Sequence, residues 1–218
     1  MKRPHICGVV TEHDEAAIRA AAPLVDLFEL RLDLVGPRWP ETARLLTRPW
    51  IATNRLANEG GRWAGLEADR TAELQRAVEL EASIVDLELA TSGLGRVIPL
   101  IKQRAECLIS YHNMKATPPL EELIEIVRAE LEAGADICKV ATTARDFDDN
   151  TAILELIRAF PGTRLVALAM GEAGQASRIL SPLIGAEFAY AALNEGAGSA
   201  PGQLTVIQLV KLYGELDL

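Results

Sequence analysis

The chain has 218 residues, 49% of them apolar and 24% charged, with 31 acidic against 22 basic side chains and a formal net charge of −9. That length can bury a sizeable core without disulfides or metals, and the acidic balance argues against non-specific binding to nucleic acid or anionic membrane, each of which needs basic surface. No apolar run approaches the roughly 20 residues that span a bilayer, and the stretch Ile6–Val10 behind Met1-Lys2-Arg3 is too short for a secretory core of roughly 7–15 residues, so a cytoplasmic chain is expected.

Along the chain, β-type runs alternate with helical patterns. Strands are predicted at His5–Val10, Leu27–Leu32, Trp50–Asn54, Ile84–Glu88, Cys107–Tyr111, Ile137–Thr142, Leu165–Ala169 and Phe188–Ala191. Most are nearly continuous apolar runs, as parallel strands covered on both faces require. Between them, Glu67–Glu81 places Leu74, Ala77, Val78 and Glu81 at helical spacing, with charge on the other side. Pro119–Ala133 follows Thr117-Pro118 as a capping pair, carries Leu120, Leu123, Ile124, Val127 and Leu131 on one stripe, and stops at Gly134. Asn150–Phe160 stops at Pro161-Gly162, and Gln203–Tyr213 closes the series. Cys7, Cys107 and Cys138 form no CxxC pair, and Cys7 and Cys138, within apolar runs, read as small buried hydrophobes.

Eight βα repeats imply a parallel sheet closed into a (β/α)₈ TIM barrel, one α/β domain over residues 1–218. The competing open doubly wound sheet usually carries a glycine-rich phosphate turn after its first strand, and Val10-Thr11-Glu12-His13 has none. In a barrel the active site lies at the C-terminal ends of the strands. The polar residues there are Glu29, Arg31 and Asp33; Arg55 with Asn58-Glu59-Gly60-Gly61; Asp86 and Glu88; Ser110-Tyr111-His112-Asn113; Lys139; Arg178, beyond Met170; and Gly198-Ser199-Ala200-Pro201-Gly202-Gln203.

Lys139 lies within an apolar strand of a chain with five lysines against seventeen arginines. A lysine in that setting is either a nucleophilic amine, activated by a low-dielectric surround, or one partner of an ion pair with Glu88 or Asp86. His112 is placed to carry protons or to cap its loop. Arg31, Arg55 and Arg178 fall at one rim, where they can bind a small anion or form salt bridges. With one histidine at the mouth and no HxH or HExxH spacing, no metal site is expected.

Taken in order, these residues resemble a known family. Phe28-Glu29-Leu30-Arg31-Leu32-Asp33, Arg55 with Glu59-Gly60-Gly61, Asp86-Leu87-Glu88, Ser110-Tyr111-His112-Asn113 with Thr117-Pro118, Ala135-Asp136-Ile137-Cys138-Lys139, Ser177-Arg178 and Ser199-Ala200-Pro201-Gly202-Gln203 are similar to the motifs of type I 3-dehydroquinate dehydratase, a Schiff-base enzyme of the shikimate pathway. The chain departs from that pattern at Asn113-Met114, where the family usually has aspartate and phenylalanine. No N-terminal hairpin extension of the kind found in longer members is expected. The resemblance implies an imine on Lys139, acid–base catalysis by His112 and a carboxylate, Glu59, close to both. It implies that Glu29, Arg31 and Arg55 hold ring hydroxyls, and that Arg178, Ser199 and Gln203 surround the substrate carboxylate and the closing loop. It also implies a small-molecule substrate, no cofactor and a homodimer. Gly196, Gly198 and Gly202 are expected to let that loop hinge over the site. The remaining readings are a class I aldolase barrel, which typically binds a phosphate after strands 7 and 8, and a barrel that binds an anion without turnover.

Overall fold

The computed structural model describes residues 3–217. Strands β1 (Ile6–Val10), β2 (Leu27–Arg31), β3 (Trp50–Thr53), β4 (Ile84–Glu88), β5 (Glu106–His112), β6 (Ile137–Thr143), β7 (Leu165–Met170) and β8 (Ala189–Ala192) lie within one residue of the predicted runs at either end. They form one parallel sheet in the order β7-β6-β5-β4-β3-β2-β1-β8. β8 pairs with β1. On its other side, Glu187 N–H donates to Leu165 C=O at 2.9 Å, so β7 and β8 meet at their starts and the barrel is nearly closed.

Side chains alternate between the barrel interior and the helical layer, and both sets begin apolar. Leu27, Ile51, Ile84, Leu108 and Ile137 share one inner cluster. Their outward neighbours Phe28, Ala52, Val85 and Ile109 pack in a second cluster with the helices. Strand periodicity then returns the inner face two residues further on, at Glu29, Thr53, Asp86, Ser110 and Lys139, all buried. An apolar floor thus carries a polar layer, which confines the groups capable of chemistry to the upper part of the barrel.

The helices α1 (Glu15–Ala21), α2 (Leu32–Val35), α3 (Trp39–Ala43), α4 (Glu67–Glu79), α5 (Leu94–Ile101), α6 (Leu120–Ala133), α7 (Asp149–Ala159), α8 (Gln175–Leu180) and α9 (Val206–Glu215) fill the connections. α1, α2, α3, α5 and α8 are not in the predicted set. Most span no more than about two turns, too few to show a repeating apolar stripe, and α5 contains Pro99. The N-terminus of α1 is capped by Asp14, whose side chain accepts from Ala17 N–H. α9 starts later than predicted because Thr205 and Gln208 form a reciprocal capping box.

Three details of the predicted helices are corrected. Glu81 lies beyond the end of α4 with φ +70° and is exposed, so it does not share the buried stripe. Thr117 does not cap α6; its hydroxyl bonds Thr142 Oγ1 at 2.8 Å and Thr143 C=O at 3.2 Å, fastening the loop to β6. Leu131 is exposed, while Glu130 is buried on the inner side of α6. Burial pushes the Glu130 carboxyl well above the ordinary carboxylate range.

Leu108 in the barrel floor is fully buried. Leu108→Ala is expected to lower the unfolding free energy by about 2–5 kcal/mol, measured by urea denaturation.

Candidate active site

The polar layer is organised around Asp86. Its carboxylate accepts from Lys139 Nζ at 2.9 Å, Arg55 Nη2 at 2.6 Å and Ser110 Oγ at 2.6 Å. Burial alone would raise this carboxyl; Arg55, Lys139 and His112, with the Ser110 hydrogen bond, outweigh it and hold Asp86 well below the usual carboxylate range. Lys139 also faces Glu29 at 3.5 Å, and Glu29 accepts from Thr53 Oγ1 at 2.9 Å. Of the two sequence alternatives for Lys139, the ion pair is the one the structure shows. Lys139 lines the central cavity, and it is ion-paired, with Asp86 and not Glu88. Two carboxylates stand beside it, within a cavity whose walls also carry apolar side chains.

Glu88 is occupied elsewhere. It pairs with Arg55 Nη1 at 2.9 Å and Arg70 Nη1 at 2.6 Å. Arg70 comes from α4, whose charged side the sequence places in solvent, yet it is fully buried. It also donates to Asn54 C=O at 3.0 Å and to both carboxylate oxygens of Glu67. A chain of ion pairs thus runs from the outer helix through Glu88 and Arg55 to Asp86 and Lys139.

His112 stands at the end of β5, and its Nδ1 lies 3.0 Å from Glu59 Oε2. Burial, reinforced by Arg55, Lys139 and Arg31 and opposed by Asp86, holds the imidazole well below its ordinary value. It is neutral at neutral pH and able to accept a proton. Burial together with the charges of Glu88 and Asp86, opposed by Arg55, pushes the Glu59 carboxyl up to about 7. Glu59 reaches this position because Leu56–Trp63 folds back on itself: Gly61 N–H donates to Leu56 C=O and Trp63 N–H to Arg55 C=O. A Cβ on Gly61 would overlap the Arg55 carbonyl, so only glycine fits there. The two residues that depart from the family pattern have structural positions of their own. Asn113 Oδ1 accepts from Lys115 and Ala116 N–H, and Met114 lies over Gly60.

Arg178 closes the other side. Ser177 fastens α8 to β7 by accepting from Ala169 N–H at 2.9 Å and donating to Gly174 C=O at 2.7 Å. Arg178 Nη2 then donates to Pro201 C=O at 3.2 Å, and its Nε has no hydrogen-bond partner among the described residues. Burial pushes its pKa down to about 10, which still leaves a cation at neutral pH. Ser199 N–H donates to Gln203 Oε1 at 2.8 Å, and Gly171 N–H to Pro201 C=O at 3.1 Å, which lays the loop beside β7. Gly202 is a packed contact here: it has φ +75°, and a Cβ on it would overlap the Gly171 carbonyl.

Glu29, Arg31, Arg55, Glu59, His112, Lys139, Arg178, Ser199 and Gln203, the full set named from the sequence, line one cavity of about 180 Å³. The four cations do not form a positive patch. Arg31 is held bidentately by Asp33 at 2.9 and 2.7 Å, Arg55 by Asp86 and Glu88, and Lys139 by Asp86. Arg178 alone among these has no carboxylate partner within the described residues. No group of three or more His, Cys, Asp or Glu side chains among the described residues is arranged to hold a metal ion.

The family model for type I 3-dehydroquinase matches residues 6–217. The chain belongs to the type I 3-dehydroquinase family. A 3-dehydroquinate dehydratase of Dehalococcoides mccartyi is 42% identical over 217 residues, covering 100% of this chain and 98% of that protein. Another, from Methanocaldococcus jannaschii, is 34% identical and covers 96% of this chain and 97% of its own. The crystal structure of 3-dehydroquinate dehydratase from Geobacillus kaustophilus superposes with a TM-score of 0.85 at 26% identity, covering 98% of this chain and 91% of that one. Family membership replaces the aldolase alternative.

Four residues of this dehydroquinase-family site lie outside the set named from the sequence. Asp86 is visible as one of two possible ion-pair partners of Lys139, and Ser110 as a polar residue on an apolar strand, but their contacts with Arg55 are not. Tyr190 reads as an ordinary strand aromatic, and Arg70 as one charge on a solvated helix face.

Three outcomes are expected. Asp86→Asn leaves Lys139 and Arg55 buried without their shared carboxylate and should cost about 3–5 kcal/mol in urea denaturation. In the catalytic pH profile, kcat/KM should fall as pH drops through about 7, because protonation removes the negative charge with which Glu59 orients His112 and supports its protonated form. Glu59→Gln should remove that acidic limb and lower kcat by about 10- to 100-fold, the order found for outer partners that orient an imidazole.

Proposed function

We propose that this dehydroquinase-family protein dehydrates 3-dehydroquinate to 3-dehydroshikimate through a covalent imine on Lys139, with His112 moving the protons. The observation that carries this reading is the pairing of a buried amine with a buried guanidinium that has no carboxylate partner among the described residues, Lys139 and Arg178, on the walls of one cavity. A ring that bears both a ketone and a carboxylate meets both.

Lys139 first gives up a proton, for which the neutral His112 is the acceptor. The amine then attacks the C3 ketone, and the carbinolamine loses water to form an iminium. That cation draws electrons from C2, so the C2 proton becomes acidic. His112 removes it, and the resulting enamine expels the C1 hydroxyl, which leaves as water with the proton His112 returns. Water hydrolyses the conjugated iminium, freeing the product and the amine. Neutrality of His112 suits the first half of this cycle, and the Glu59 contact fixes which ring nitrogen carries hydrogen.

Arg178 receives the substrate carboxylate, with Ser199 and Gln203 bringing the loop across it. Glu29, Arg31 and Arg55 are already held by neighbours, so they present fixed donors and acceptors to the ring hydroxyls with little reorganisation. No helix of the described residues is long and apolar enough to cross a membrane. A homodimer acting in the cytoplasm belongs to the same reading, and sedimentation at micromolar concentration tests the dimer.

The absorbance of the enone product follows turnover directly. Lys139→Ala is expected to abolish it while retaining substrate binding, and Arg178→Ala to raise KM by about 10- to 100-fold, as loss of a charged hydrogen-bonded contact does. Normal turnover in Lys139→Ala, or an unchanged KM in Arg178→Ala, contradicts the corresponding assignment.

A further inference from the structure

Lys139 has a third neighbour besides its two carboxylates. Its Nζ lies 4.5 Å from the centroid of the Tyr190 ring, over the ring face. Tyr190 projects inward from β8, is 6% exposed, and is braced edge-on by Phe188 at 5.2 Å between centroids. Its hydroxyl is buried with no hydrogen-bond partner among the described residues. The ring, and not the hydroxyl, is what meets the amine.

We infer that Tyr190 is a further catalytic residue, whose ring face holds the positive charge of the iminium formed on Lys139. The inference rests on the reading of Lys139 as the imine-forming amine. A lysine ammonium has three N–H donors, enough for Asp86 at 2.9 Å and Glu29 at 3.5 Å together. Condensation with a ketone forms the C=N bond and breaks the C=O bond. The carbonyl oxygen leaves as water with two of the nitrogen's hydrogens, and the iminium nitrogen keeps one. That single N–H can serve one carboxylate only, while the full positive charge remains. A π face needs no N–H, because the ring quadrupole attracts the charge itself, most strongly where water is excluded. Tyr190 therefore keeps its hold on the cation after the hydrogen-bond donors have been spent. Glu29 is released at the same step to accept from the substrate.

Fluorinated phenylalanines at position 190 test this, since each fluorine weakens the negative ring face with little change of shape. Tyr190→Phe is expected to keep kcat within about twofold, the ring face being retained. Adding one, two and three fluorines to that ring should then lower kcat stepwise, by about 3- to 30-fold in all, with KM nearly constant. A flat series overturns the role. So does a loss already complete in Tyr190→Phe, which would place the effect on the hydroxyl. Lys139→Ala separates the two ideas: if that variant turns over, the imine reading falls, whereas if it is inactive and the series is flat, only the role of Tyr190 falls.

Discussion

A carboxylate buried at the centre of the barrel, Asp86, holds two cations at once, and the rest of the site follows from that. Taking a carboxylate out of water costs several kcal/mol even after the protein relaxes. Asp86 is 1% exposed and recovers the cost through Lys139, Arg55 and Ser110. Arg55 is itself buried and needs a second carboxylate, which Glu88 provides; Glu88 needs another cation, which Arg70 supplies from α4. Each buried charge calls for the next until the chain ends at Glu67, which is partly exposed. The outer helix is thereby tied to the position of the reactive amine.

This network changes what the arginines are for. Three of the four cations at the mouth have carboxylate partners inside the protein, so they offer geometry and not free charge. Among the described residues Arg178 alone of the four has no carboxylate partner, and a backbone contact holds it without neutralising it. A net charge of −9 is compatible with the proposed anion site, which calls for that one desolvated guanidinium. His112 works under the opposite pressure. Burial and the surrounding cations keep it neutral, and Glu59, the carboxylate in contact with it, titrates close to neutral pH.

The strands are legible because burial on both faces leaves runs such as Ile84–Glu88 and Ile137–Thr142 nearly continuous in apolar character, with the rare polar residue standing out. Lys139, Glu29 and Asp86 are visible for that reason. His112, Arg55 and Arg178 follow from the rule that barrel strands deliver function at their C-terminal ends, and the family motifs supply Glu59, Ser199 and Gln203. What stays hidden depends on distance in space. Arg70 looks like any charged helix residue until α4 is docked. Nothing in Arg31 or Asp33 announces a bidentate pair that removes Arg31 from the pool of free cations. Tyr190 becomes notable only when β8 brings its ring up to Lys139. The short helices α2, α3 and α8 are fixed by tertiary contact more than by local pattern.

The claim on which everything else depends is that Lys139 forms the covalent imine inside this charge network. Borohydride added to the protein with 3-dehydroquinate, followed by peptide mass mapping, measures it most directly. A reduced adduct on the peptide containing Lys139, absent without substrate, is expected. Active protein with no adduct there, or an adduct on another lysine, would contradict it.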